Sequence, residues 1–168
     1  MRIQRCFTVE DQSPYEGIAF RTTASEIRNP DGSVVFRLQD IKVPAEWSQV
    51  ACDVLAQKYF RKAGVAAVLT PVPEEGVPDF LWRHAPNTEA LEALRPEDRF
   101  GPERDARQIF DRLAGTWTYW GWKGGYFDTE EDARAFCDEL RFMLAAQIAA
   151  PNSPQWFNTG LHWAYGID

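Results

Sequence analysis

Residues Asp128 to Ala150 read DTEEDARAFCDELRFMLAAQIAA, and this stretch decides the class of fold. Ala133, Phe136, Cys137, Leu140, Met143, Leu144 and Ile148 recur at the spacing that lines up one face of an α-helix. Asp128 or Thr129 can cap the first turn, and Glu130, Glu131 and Asp132 place negative charge at the positive end of the helix dipole. Nothing stops the pattern before Pro151. A helix with so broad an apolar face requires an apolar partner, so the chain reads as a mainly helical packed domain.

Working outward, Ala106, Ile109, Phe110 and Leu113 form a second stripe and predict a helix over Glu103–Leu113. Between the two helices lies GTWTYWGWKGGYF, Gly115–Phe127, with three tryptophans among four glycines. Its glycines predict a tightly folded loop in which backbone approaches aromatic plates. A third helix is expected around Trp47, Val50, Ala51, Val54, Leu55 and Tyr59, with Pro44 in its first turn and Gly64 as its stop. Further upstream, Ile18–Arg28 and Ser33–Val43 are β-rich runs flanking Asn29-Pro30-Asp31-Gly32, which reads as a hairpin. The segment Thr70–Pro86 carries four prolines and reads as loop, with short helices at Asp79–Arg83 and Thr88–Leu94. Residues 1–16 read as an arm and 17–168 as the domain proper. The expected class is α+β, mostly helical, with a small β component at each end.

Composition bounds the function. The chain of 168 residues is 45% hydrophobic and carries seven tryptophans, enough for a real core. It has 25 acidic against 18 basic side chains, a formal charge of -7, so it lacks the counterion-release drive for binding DNA or RNA. No run approaches the roughly 18 apolar residues of a membrane span, and a cytoplasmic, membrane-free protein is expected. Cys6, Cys52 and Cys137 are far apart and form neither a disulfide framework nor a zinc motif.

Candidate chemistry is sparse. Cys52 and Cys137 sit on helical apolar faces and read as small hydrophobes. His84 and His162 are the only histidines; His162 lies close enough to the C-terminal turn to meet a ligand, although a structural role is favoured. The acidic clusters Glu74-Glu75, Glu97-Asp98 and Glu130–Asp132 fall in loops or at helix starts, where solvation and capping account for them. The aromatic–glycine stretch offers a stacking surface for a base or ring, with structural packing the favoured reading. No nucleophile–base pair supports a hydrolase. In PNSPQWFNTG, Pro151–Gly160, Ser153 precedes a proline and is expected to be held extended, its hydroxyl and amide aimed in one direction. Spacing alone leaves a phosphate- or sugar-binding turn and a plain turn into a strand equally open.

PNSPQWFNTG, together with FDRLAGTWTYWGWKGGYFDTEEDARAFCDEL (Phe110–Leu140) and SPYEGIAFRTTASEIRNPDGSVVF (Ser13–Phe36), resembles the N-terminal region of adenosylcobalamin-dependent, class II ribonucleotide reductases. The resemblance covers essentially the whole chain. It implies a ten-stranded α/β barrel downstream, with a C-terminal strand here that begins it. It also implies radical reduction of a ribonucleotide to a 2′-deoxyribonucleotide for DNA synthesis. Cobalamin homolysis makes a thiyl radical in that family, and a cysteine pair supplies electrons. Ser153 matches the substrate-site residue near the nucleotide phosphates.

None of the three cysteines matches a catalytic motif of the family, so the catalytic set is empty here and no metal ligand is expected. The resemblance therefore implies a scaffold segment, inactive by itself and binding no adenosylcobalamin alone. Its expected partners are the ribonucleotide and the remaining catalytic barrel, with homo-oligomers left open. An unpaired sheet edge near Trp156–Phe157 and exposed apolar surface are expected to serve that association. The alternative is a non-catalytic module that binds a protein or nucleotide through the aromatic stretch.

Overall fold

Asn29-Pro30-Asp31-Gly32 closes the first element, as its turn chemistry dictates. In the computed structural model, which describes residues 1–168, Gly32 adopts φ 86° and Asn29 N–H donates to the Ser33 carbonyl at 2.8 Å. The strands are β1, Phe20–Arg28, and β2, Val34–Pro44, paired antiparallel. Their register slips between Thr23 and Ser25, opposite Leu38 and Ile41, and Asp40 takes the left-handed conformation at φ 55°. This bulge resets the alternation: Leu38, Ile41 and Val43 all face inward, which an unbroken strand does not permit. Pro44 accordingly ends β2 rather than starting a helix.

Ser48 caps α1, Gln49–Val54, through the Ala51 amide at 3.2 Å, and the chain continues as a wider π-helical turn over Leu55–Tyr59. Two-residue and three-residue strands follow: β3, Val65–Ala66, β4, Leu69–Pro71, β5, His84–Pro86, and β6, Phe100–Gly101. They pair as β3 with β6 and β4 with β5. The short helices expected in this proline-rich region are present as a 3-10 turn at Asp79–Leu81 and as α2, Thr88–Glu92.

The two long helices pack on each other: α3, Ala106–Lys123, and α4, Glu130–Ala145. Both begin with reciprocal capping boxes, Asp105 with Gln108 and Thr129 with Asp132. The loop expected at Gly115–Phe127 is a correction: α3 runs on through it to Lys123. Its glycines serve close packing inside the helix instead of a turn. A methyl group at Gly115 would overlap the Trp163 ring, and one at Gly121 would lie 2.8 Å from Phe127. Burial against these rings outweighs the intrinsic helix penalty of glycine, about 1 kcal/mol each.

The C-terminal strand is a second correction. Residues 153–165 form two short helices, α5, Ser153–Asn158, and α6, Leu161–Tyr165, separated by Gly160 at φ 85°. No sheet edge exists at Trp156–Phe157, because Pro154 starts a helical turn and Gly160 supplies the left-handed break. With 40% helix, 18% strand and only small sheets, the chain is α+β and mostly helical.

One core joins these pieces. Ile41 and Val43 of the hairpin, Phe60, Phe110 and Leu113, Leu144 of α4 and Trp156 of α5 share it. The first eight residues lie along α4, where the Glu139 carboxylate accepts the amides of Phe7 and Thr8 and the Thr8 hydroxyl. Phe7 stacks on Phe142 at 5.2 Å.

Candidate substrate-facing site

Ser153 does not precede its proline in an extended conformation. Asn152 is the extended residue, at ψ 150°, and Ser153 opens α5 with Pro154 in the first turn, where a missing amide hydrogen costs little. The Ser153 hydroxyl is exposed and shares a hydrogen bond of 2.7 Å with the Tyr59 hydroxyl, from the end of the π-helical turn. Two distant stretches of chain thus present a pair of hydroxyls together.

The base beneath that pair is aromatic. The Tyr59 ring lies 5.6 Å from that of Trp156, nearly parallel, and 5.2 Å from that of Phe157. Trp156 is buried, and its indole N–H donates to the Pro151 carbonyl at 3.0 Å, holding the turn before Ser153 closed.

Below the aromatics sits a charged hub. Arg112 and Glu103 are fully buried and pair at 2.9 Å. The Arg112 guanidinium also donates to the carbonyls of Trp156 at 2.8 Å and Thr159 at 2.7 Å, and more weakly to that of Tyr59 at 3.3 Å. These contacts satisfy carbonyls at the end of α5 that the short helix leaves without partners. Glu103 accepts the Arg61 amide at 2.8 Å and the Tyr165 hydroxyl at 2.8 Å. Burial, and then the neighbouring Glu103 carboxylate, push the Tyr165 phenol far above its ordinary range, so it stays a hydrogen-bond donor. One ion pair therefore ties together the π-helical turn, α3, α5 and α6.

The hub was missed in the sequence. Glu103 read as an ordinary helix start, whereas α3 begins at Ala106 and leaves Glu103 free to turn inward. Arg112 carries one legible signal, a cation between Phe110 and Leu113 beside an apolar stripe. Tyr59 gave none, since its role follows from where α5 folds back.

The other candidates separate from Ser153. His162 lies in α6 with Nδ1 2.9 Å from the Asp168 carboxylate, and His84 packs edge-on to Trp163 at 6.3 Å, its pKa lowered by burial. Cys52 and Cys137 are buried, and burial raises both thiols, which matches small hydrophobes rather than nucleophiles. Cys6 is exposed. The acids are engaged structurally: Glu74 with Lys123 at 2.6 Å and Tyr119 at 2.9 Å, Glu131 with Arg5, and Asp132 in its cap.

Comparison with known proteins shows the family of the chain. The model of a family described as class II vitamin B12-dependent ribonucleotide reductase matches residues 21–147. The vitamin B12-dependent ribonucleotide reductase of Bradyrhizobium diazoefficiens is 71% identical over all 168 residues of this chain, and that of Agrobacterium fabrum is 68% identical over the same length. The enzyme of that name from Rhodopirellula baltica is 30% identical, again across the whole chain. In each case the chain spans only 13% of the relative's length. It belongs to the class II vitamin B12-dependent ribonucleotide reductase family and corresponds to the N-terminal part of those longer proteins.

Proposed function

We propose that this chain forms one wall of the substrate site in an enzyme that reduces ribonucleotides to 2′-deoxyribonucleotides, with Ser153 facing the nucleotide phosphates. The observation that carries this reading is the exposed Ser153–Tyr59 hydroxyl pair, 2.7 Å apart, on a base fixed by a fully buried ion pair. A phosphate oxygen needs donors that are pre-aimed, and a serine in the first turn of a packed helix meets that need. The chain contributes position and binding; the radical chemistry belongs to the rest of the protein.

The family is vitamin B12-dependent, and its cofactor supplies the radical when bound. The five main grooves of this chain hold about 160 to 340 Å³ each, too little to enclose a corrin. In this reading adenosylcobalamin is therefore held by the remaining polypeptide.

That polypeptide also has a place to dock. An apolar groove of about 280 Å³ is walled by Trp47, Val54, Leu55, Tyr59 and Trp156, and Val50, Ile148 and Phe157, next in sequence to its lining residues Ala51, Gln147 and Trp156, are exposed as well. The groove shares Tyr59 with the Ser153 pair, so covering it would complete the site and exclude water from it. With 87% of the relatives' length lying outside the matched 13%, the occupant is the remainder of the enzyme.

The test is reconstitution. This chain, a chain supplying the remaining sequence, adenosylcobalamin, a dithiol and a ribonucleotide are combined and deoxyribonucleotide is measured. Product is expected. Demonstrated complex formation without product overturns the proposal. Ser153→Ala is expected to raise KM for the ribonucleotide roughly tenfold or more, the cost of one hydrogen bond to a charged group, and to leave assembly intact. An unchanged KM removes Ser153 from the site.

A further inference from the structure

A second groove, of about 340 Å³, lies between α3 and α6 and includes neither Ser153 nor Tyr59. Its walls carry two indoles, Trp120 and Trp163. Trp163 is fixed in plane: its ring seats on Gly115, and its N–H donates to the Leu81 carbonyl at 2.9 Å. Trp120 stands one turn beyond Thr116 on the same face of α3 and is 55% exposed, an unusual cost for so large an apolar ring.

The polar groups of the groove are few and distinct. Thr116 is only 4% exposed, and its hydroxyl oxygen, which has no hydrogen-bond partner, is closed off from the groove by Gly160. Asn158 lies exposed in the lining and offers a donor and an acceptor side by side. His162 lines it too, with Nδ1 held by Asp168 at 2.9 Å so that Nε2 remains for another partner. No lysine or arginine lines the groove.

We propose that this groove binds an uncharged planar heteroaromatic ring, of nucleobase or nucleoside type. Indole faces stack on any such ring, and burying one there covers Trp120. An asparagine amide pairs in bidentate fashion with the amino and ring nitrogens of adenine, which favours purines carrying that edge. The volume falls within the range of small-molecule sites, about 300–1,000 Å³. Without a cation in the lining, phosphate groups add nothing, so this site differs in kind from the phosphate-facing role given to Ser153 and does not depend on it.

The experiment is isothermal titration calorimetry of the full 168-residue chain with adenosine, cytidine and ATP, with thermal melts of each variant by circular dichroism. Saturable adenosine binding is expected, tighter than cytidine and no weaker than ATP. Trp120→Ala is expected to weaken it about tenfold, the loss of one stacking face. Asn158→Ala, at an exposed position, is expected to abolish the preference for adenosine over cytidine while keeping the melt unchanged. Absence of saturable adenosine binding overturns the proposal. So do wild-type affinity in folded Trp120→Ala, an intact base preference in Asn158→Ala, or ATP binding far tighter than adenosine. Ser153→Ala is expected to leave adenosine affinity unchanged, so this groove and the Ser153 site fail or stand separately.

Discussion

Arg112 sits one position from Leu113 in the most buried part of α3, and all three nitrogens of its guanidinium donate to interior acceptors. Breaking a buried ion pair from one side leaves the other charge stranded, at a cost of about 3–5 kcal/mol. Arg112→Met and Glu103→Gln are each expected to lower stability by about that much in denaturant melts. The double variant should lose less than the sum of the two, because neither charge is then left alone. Arg112→Met also frees the carbonyls of Trp156 and Thr159, so Tyr59 and Ser153 should drift apart. Gly160 is a second position of this kind. Its φ of 85° and the 2.7 Å approach that a methyl would make to the Thr116 hydroxyl leave no room for a side chain. Gly160→Ala is expected to cost about 2–4 kcal/mol and to show as a lowered Tm.

At the scale of elements, the N-terminal segment is held on α4 by a row of carboxylates: Asp132 accepts the Ile3 amide, Glu131 and Asp138 pair with Arg5, and Glu139 holds the Phe7–Thr8 end. Burial by itself would raise the pKa of Glu139, but hydrogen bonds from the Thr8 hydroxyl and from the Phe7, Thr8 and Cys6 amides outweigh it, and the net value is lowered. A carboxylate depressed in the folded state stabilises above its unfolded value and loses that contribution as pH falls through the folded one. The segment is therefore expected to stay docked at neutral pH and to release progressively as pH drops below the ordinary glutamate value of 4.5. Hydrogen exchange at the Phe7 and Thr8 amides should quicken over that window. Glu139→Gln should quicken exchange at these two amides at pH 7 and reduce their pH dependence.

For the whole molecule, the exposed apolar face is the feature that the core does not explain. Val50 is 72% exposed on α1 and Ile148 is 54% exposed in the turn that follows α4. Val50→Glu and Ile148→Lys are expected to leave the melt of this chain within about 0.5 kcal/mol. Both should weaken capture of the remaining reductase polypeptide in a sedimentation or pull-down measurement. Unchanged capture would move the docking surface elsewhere.

Local chemistry was enough for several parts of this protein. Asn29–Gly32 closes a hairpin because only a turn suits that residue order, and α4 follows from its cap and its apolar period, although it ends at Ala145, before the left-handed Gln147, and not at Pro151. At Ser153 the prolines foretold a fixed turn but not its form, since the extended residue is Asn152 and Ser153 opens α5. What local chemistry read wrongly was decided by distant partners. The glycine-rich tryptophan stretch became helix because Trp163 and Phe127 fill the space their missing side chains leave. The expected C-terminal strand became α5 and α6 where Pro154 starts a turn and Gly160 breaks it, and Arg112, far upstream, fixes the end of α5 by donating to the carbonyls of Trp156 and Thr159. Period, caps and turn residues act within a few positions and are written in order along the chain. The Ser153–Tyr59 pair and the buried Arg112–Glu103 hub arise only where separate stretches meet, and burial there sets the strength of every charge and hydrogen bond.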